Sequence, residues 1–499
     1  MRIIGNDPEI PRQTQVIASG AITGGKPVAV NTDGTVSVVA TDLPLDGKTL
    51  FETNGFGPPK WAYDSNSDRY VLVYPGSGGN AYGTARVVQI SGTTLSMGAE
   101  FTFSSVAGTY YIDACFDSNS NKIVISYGGT TSALYSIVAT VTAGDNTLAF
   151  GTQNQFEANG TGRGLASAFD SNSNKVVVAF SDRNDSHRGK AVVGTVSGTN
   201  ISHGSQVQFH AEDTQYLTIV FDDNANKMVI AYANQPNNNS ATGNAVVGTV
   251  SGTGISFGST ATFHANTGGS NPYLLSSVYD LGSCFDTTSN RFVLAYRKGN
   301  DPANGSVIVG TVSGTNISFG TVVQYDASHG RYNAVTHDIE QNKIILLYNK
   351  VDDSGKGYYV TGTVNNTAIS VTTPARFTVS TEGANDIRAL YNNTSKKTLV
   401  AYRSLDSNAA SGDDDQRVFG LFLGDSSNIS SYIGIAEDTV ADGQPVIVNT
   451  KGAVDENQSS LTAGQLYFVQ TDGTLDIAAD TTSVMAGTAV SATKLIVKG

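Results

Sequence analysis

The chain is poor in cysteine, tryptophan and charge, and each scarcity excludes something. Its two cysteines, Cys115 and Cys284, fall at one equivalent point of two different repeats described below. That separation exceeds the roughly 7 Å Cα limit of a disulfide. Both are read as free thiols and small core residues, standing where other repeats carry Ala62, Ala168 or Val220, and unpaired thiols suit assembly in a reducing cytosol. Trp61 is the one tryptophan, so no tryptophan-bearing motif can recur. Charged residues make up 15% of the chain and leave a net charge of -13, which argues against nucleic-acid binding because phosphate contacts need clustered cations. No apolar run reaches the roughly 18 to 20 residues of a membrane helix, so no membrane insertion is expected. The start, Met1-Arg2-Ile3-Ile4-Gly5-Asn6-Asp7-Pro8, lacks the apolar core of a signal peptide.

What the chain does have is a repeat. Seven times an Asp or Asn is followed ten residues later by an aromatic: Asp64/Tyr74, Asp117/Tyr127, Asp170/Phe180, Asp222/Tyr232, Asp286/Tyr296, Asp338/Tyr348 and Asn392/Tyr402. The successive spacings are 53, 53, 52, 64, 52 and 54 residues. A second aromatic series, Phe103, Phe156, Phe209, Phe263, Tyr325 and Phe377, precedes the next anchor by 13 to 15 residues, except in the fifth repeat, which carries an insertion. The third repeat reads as strands over 165–169, 176–180, 191–196 and 201–209. Runs such as Val176-Val177-Val178-Ala179-Phe180 are apolar on consecutive residues, as in a strand covered on both faces. The 54 glycines and the Asn, Asp, Ser and Gly clusters between runs fit an all-β chain. The period and the four runs per unit predict a seven-bladed β-propeller with four-stranded blades. Lys48-Thr49-Leu50-Phe51 stands 13 residues before Asp64 like a fourth strand, placed to close the last blade and remove a sheet edge.

The two ends of the blades differ. On one, Asp64-Ser65-Asn66-Ser67-Asp68, Asp117-Ser118-Asn119-Ser120-Asn121 and Asp170-Ser171-Asn172-Ser173-Asn174 are near-uniform turns, as are the Ser-Gly-Thr turns at Ser91, Ser197, Ser251 and Ser313. On the other, the loops 75–81, 181–189, 233–243 and 403–416 vary in length and content, and residues 271–275 belong to an insertion. Variable loops on a rigid scaffold are where binding surfaces are built. Arg183, Asp185, His187, Arg188, Asn237, Asn238, Tyr273, Asp413 and Asp414 are therefore the candidate binding residues.

Metal and catalytic readings have less behind them. The Asp-x-Asn-x-Asn turns resemble the first half of a calcium loop, but Lys122, Lys175, Lys227, Lys343, Lys397, Arg69 or Arg291 stands where such a loop needs Gly, and no acidic residue follows at its bidentate position. The six histidines show no metal-ligand spacing, so neither metal nor cofactor is expected. The Ser-x-Asp-x-Gly-x-x-Trp boxes of sialidase-like propellers cannot recur with one tryptophan, and no enzyme is expected; loop carboxylates leave a polysaccharide-trimming glycosidase as a distant alternative.

The ends carry related β segments. Gly25-Lys26-Pro27-Val28-Ala29-Val30-Asn31-Thr32-Asp33-Gly34 parallels Gly443-Gln444-Pro445-Val446-Ile447-Val448-Asn449-Thr450-Lys451-Gly452. The expected divisions are a docking segment at 1–45, the propeller at 46–428 and an antiparallel β module at 429–499. The wording Asn174-Lys175-Val176-Val177-Val178-Ala179-Phe180 and Val192-Val193-Gly194-Thr195-Val196-Ser197-Gly198-Thr199, with Leu461-Thr462-Ala463-Gly464-Gln465-Leu466-Tyr467-Phe468-Val469, resembles virion-associated, tail-fibre-like proteins of tailed bacteriophages, marine ones especially. The resemblance implies a virion component assembled in the host cytoplasm, docked on other tail or capsid proteins as a homo-oligomer. Its work would be attachment to a host-surface glycan or protein, or else purely structural decoration of the particle.

Overall fold

The computed structural model describes residues 12–498 other than 32–33, 40–44, 53–57, 77–80, 92–93, 105–107, 130–132, 238–239, 266–277, 299–303, 328–329, 340, 379–381, 393–396, 405–416, 425–427, 471–472 and 480–482. The described chain is all-β: its strands form antiparallel sheets, and its only helical turns are three short 3-10 segments. It divides into two compact units, Leu45–Leu423 and a second made of Met1–Pro44 with Gly424–Gly499.

In the larger unit each anchor ends the first strand of its repeat. These strands are Lys60–Asp64, Tyr111–Asp117, Thr161–Asp170, Val207–Asp222, Val278–Asp286, Gly330–Asp338 and Asn385–Asn392. The anchor carboxylates close the hairpins. Asp117 Oδ1 accepts from the backbone amides of Asn119 (3.0 Å) and Ser120 (2.9 Å), and Asp64, Asp170 and Asp286 bond in the same way. Asp68, Asn121, Asn174, Asn226, Asn290 and Asn342 then take the left-handed conformation that ends the turn. The oxygens that would face an ion in a calcium loop instead hold their own backbone.

The ten-residue offset places the second member of each pair inside the neighbouring strand. Tyr74, Tyr127, Phe180, Tyr232, Tyr296, Tyr348 and Tyr402 are all fully buried. Each of the last six packs against the aromatic of the repeat before it: Phe103–Tyr127, Phe156–Phe180, Phe209–Tyr232, Phe263–Tyr296, Tyr325–Tyr348 and Phe377–Tyr402, with centroids 4.8 to 5.6 Å apart. The two sequence series are thus one contact repeated, worth about 0.5 to 1.5 kcal/mol per pair beyond burial. Apolar residues of adjoining sheets form shared cores, and Leu399 and Ala401 of the last repeat join Trp61, Tyr70, Leu72 and Tyr74 of the first. The strand Leu45–Glu52 pairs with Arg417–Gly424, so the first part of the unit completes the last sheet. The arrangement is propeller-like, with each sheet's double cover supplied by its neighbours.

The smaller unit interleaves the two ends of the chain. Where the sequence suggested one segment at each end, a single sheet runs Gln13–Ile17, Pro445–Asn449, Tyr432–Ala436, Pro27–Val30, Val36–Val38. Gln13 lies opposite Asn449, and Pro27 opposite Ile435. A second five-stranded sheet comes from 454–497, and Ala29, Ile435, Tyr467, Val469 and Leu495 share one core.

Candidate functional site

The first strands of all seven repeats contribute to one cavity of about 510 Å³ and to a second of about 300 Å³ that shares Lys60, Leu217, Leu281, Asn333 and Arg388 with it. A size near 500 Å³ is typical of small-molecule sites. Local backbone geometry opens it. The pairing of first and second strands slips between Gln215 and Thr218, Arg331 and Ala334, and Asn385 and Arg388. Within these bulges Tyr216, Tyr332 and Asp386 hold φ values of 50, 53 and 50°. Such bulges re-aim side chains, and left-handed backbone at non-glycine residues stores strain that gathers at functional sites. Here they present Tyr216, Tyr332 and Asp386 to the cavity wall.

Four residues before each anchor, the repeats diverge in a way the scaffold does not require. The position holds Ala166, Thr218, Gly282 and Ala334 in the third to sixth repeats, but Arg388, Lys60 and Asp113 in the seventh, first and second. Lys60 Nζ lies 3.0 Å from Asp113 Oδ1. Asp113 Oδ2 also accepts from the Ser167 amide (2.6 Å) and the Ser167 hydroxyl (3.3 Å), tying three successive first strands together. Burial, with the positive charge of Arg388 as a smaller cause, holds the Lys60 ammonium below its ordinary pKa, against the opposing pull of Asp113. At the cavity wall Arg163 pairs with Asp213 at 2.5 Å, and Asp386 pairs with Arg403 at 2.8 Å. Burial raises the Asp213 carboxyl despite Arg163 and His187 beside it. Arg388 differs from these: its one hydrogen bond goes from Nη1 to the Ile387 carbonyl (2.7 Å), its Nε is buried without an acceptor, and no carboxylate pairs with it among the described residues.

The candidates proposed on the loops fare differently. In 181–189, Arg188 pairs with Asp185 (2.8 Å), and Lys190 bridges Asp182 (2.6 Å) and Asp185 (3.0 Å). Asp182 caps the 3-10 turn Arg183–Asp185, and the His187 amide bonds to the Asp182 carbonyl at 2.8 Å. These charges largely neutralise one another within the loop. Asn237 ends the strand Lys227–Asn237 opposite Ser240. Asn238, Tyr273, Asp413 and Asp414 lie outside the described residues. Cys115 and Cys284 are free and pack among core residues, with burial pushing both thiols up. Sequence reasoning missed Lys60, Asp113, Arg163 and Arg388; aligning the repeats on their anchors and asking where charge replaces a small residue would have found three of them.

No protein family and no curated protein matches the chain. Among solved structures it is similar to a periplasmic gluconolactonase of Pseudomonas aeruginosa, with a TM-score of 0.48 and 11% identity over 73% of this chain and 96% of that one. It is similar to a NanB sialidase variant of Streptococcus pneumoniae, with a TM-score of 0.45 and 12% identity over 78% and 71%. Sqt1 of Chaetomium thermophilum gives 0.44 and 11% over 75% and 87%. At such identities the likeness concerns the arrangement of strands. The expectations of a virion protein of fibre or decorative type, and of a chain without enzymatic activity, are corrected to what the likeness concerns, a propeller-like arrangement of strands that also occurs in a lactonase and a sialidase. The variable loops carry the sequence signal, whereas Arg388, with a buried Nε and no carboxylate partner among the described residues, lines a cavity between first strands.

Proposed function

We propose that the chain is a seven-bladed β-propeller of four-stranded blades that binds and hydrolyses a saccharide in its axial cavity. The observation that carries this reading is the break in repeat symmetry at the cavity, where seven otherwise alike strands bring together charges that the fold needs at no other repeat. Tyr110, Tyr111, Tyr216 and Tyr332 supply flat apolar faces, and Gln215, Asn333 and Asp386 supply donors and acceptors between them. Aromatic faces interspersed with amides and carboxylates suit a sugar ring, which is apolar on its faces and hydroxylated at its rim.

Glycosidic hydrolysis needs one carboxyl group that retains a proton and another that stays ionised. Asp213, whose carboxyl burial raises against the pull of its partner Arg163, is assigned here to donate to a leaving oxygen. Asp386, held by Arg403, is placed at the wall to act as base or nucleophile. The test is release of reducing ends from a panel of bacterial surface polysaccharides. Release that Asp386→Asn and Asp213→Asn each abolish, with unchanged thermal unfolding, is the expected result. No release from any of them, with no saccharide bound, would overturn the reading.

A further inference from the structure

We propose that the cavity selects an acidic saccharide, its carboxylate seated on Arg388 with Lys60 beside it. This deepens the saccharide reading and rests on it.

Arg388 is the starting point. The pocket's other charges are matched: Lys60 with Asp113, Arg163 with Asp213, and Asp386 with Arg403. Among the described residues Arg388 has only the Ile387 carbonyl, although its Nε is buried. A partly buried cation without a counter-charge is costly, and proteins rarely keep one that has no role. The chain as a whole carries a net charge of -13, so carboxylates are plentiful, and none of the described residues places one on Arg388.

The position also speaks against a scaffold role. Equivalent strands carry Ala166, Thr218, Gly282 or Ala334 there, so the inner strand closes its part of the ring without a charge. Lys60 reinforces the point. Its ammonium is depressed by burial and by the nearby Arg388 charge, so two cations share the lining and repel. An anion entering between them would relieve that repulsion, whereas a neutral ligand would not.

The geometry of the donor chooses among anions. Guanidinium presents parallel N–H groups that match the two oxygens of a carboxylate. A phosphate or sulfate ester spreads its charge over three terminal oxygens rather than two and matches the fork less well, and among the described residues lining the cavity every other cation already has an acidic partner. The surrounding tyrosines then receive the ring that bears the carboxylate.

The test is calorimetric titration of the full chain with a glucuronate-ended disaccharide, its glucose-ended counterpart and a sulfated analogue. The acidic disaccharide is expected to bind more tightly than the neutral one, and Arg388→Gln should weaken the acidic ligand roughly 10- to 100-fold while leaving the neutral one unchanged. Arg388→Lys, which keeps the charge but loses the fork, should fall between. If Arg388→Gln does not fold, the unaltered protein still decides: rising salt should weaken the acidic ligand and spare the neutral one. Equal binding of acidic and neutral sugars, or preference for the sulfated one, overturns the assignment to a carboxylate and leaves the saccharide reading standing. Binding of none of the three overturns both.

Discussion

Lys60 and Asp113 form an ion pair of 3.0 Å between the first strands of two neighbouring repeats, with side chains 21% and 13% exposed. The two partners are not equivalent. Asp113 retains Ser167 if Lys60 is removed, whereas Lys60 loses the carboxylate that pairs with it among the described residues and still faces Arg388 if Asp113 is removed. Breaking a buried pair is costly because of the charge left behind. Asp113→Asn is therefore expected to destabilise the protein by about 2 to 4 kcal/mol and Lys60→Met by about half as much, read from denaturant midpoints.

Close approach between repeats gives a second prediction. A Cβ on Gly204 would stand 1.9 Å from the Thr253 carbonyl oxygen, and Gly151, Gly258 and Gly320 meet Thr199, Thr315 and Thr367 at 1.7 to 1.8 Å. Each contact joins one repeat's outer edge to the next repeat's turn. Gly198, at φ +63°, meets nothing within 4 Å. Gly204→Ala should cost more than the roughly 1 kcal/mol expected for Gly198→Ala, which pays only for a left-handed backbone. Thermal unfolding of the two variants side by side measures the order.

The inter-repeat aromatic contact can be tested at Phe209. Phe209 is buried against Tyr232 and Phe257, and its ring also fills the space a side chain at Gly189 would need. Phe209→Ala should cost about 3 to 5 kcal/mol and Phe209→Leu distinctly less, because leucine fills more of the cavity left.

Stability should also fall in mild acid. Burial pushes the His203 imidazole down to about 4, its ring nitrogens facing Asn154 Oδ1 at 2.8 Å and Ser136 Oγ at 3.2 Å. The unfolded chain takes up this proton near pH 6.5 and the folded chain only near 4, so stability declines as pH drops through that window and levels below it. The loss from this residue is on the order of 3 kcal/mol. His210 and His264, also lowered by burial, act in the same sense. His203→Gln should flatten part of the slope in unfolding curves taken from pH 7 to 4.

The reach of the sequence is seen in these same residues. Asp117 and Tyr127 recur because every repeat needs the same hairpin closure and the same inter-repeat contact, so periodicity exposes them. Lys60, Asp113 and Arg388 do not recur, and a search for what repeats passes over them. Their strands also read as ordinary core, since Ile112, Ala114 and Ile387 flank the charges. The pairing of Gln13 with Asn449 was hidden for another reason: two similar hairpins at opposite ends carry no signal that they share a sheet.

The most direct test is a crystal structure of the chain soaked with the glucuronate-ended disaccharide. The account predicts density in the cavity, with the carboxylate on Arg388 and the sugar ring against Tyr216 or Tyr332. An empty cavity with the disaccharide bound along 181–189 would return the site to the loops and contradict the account.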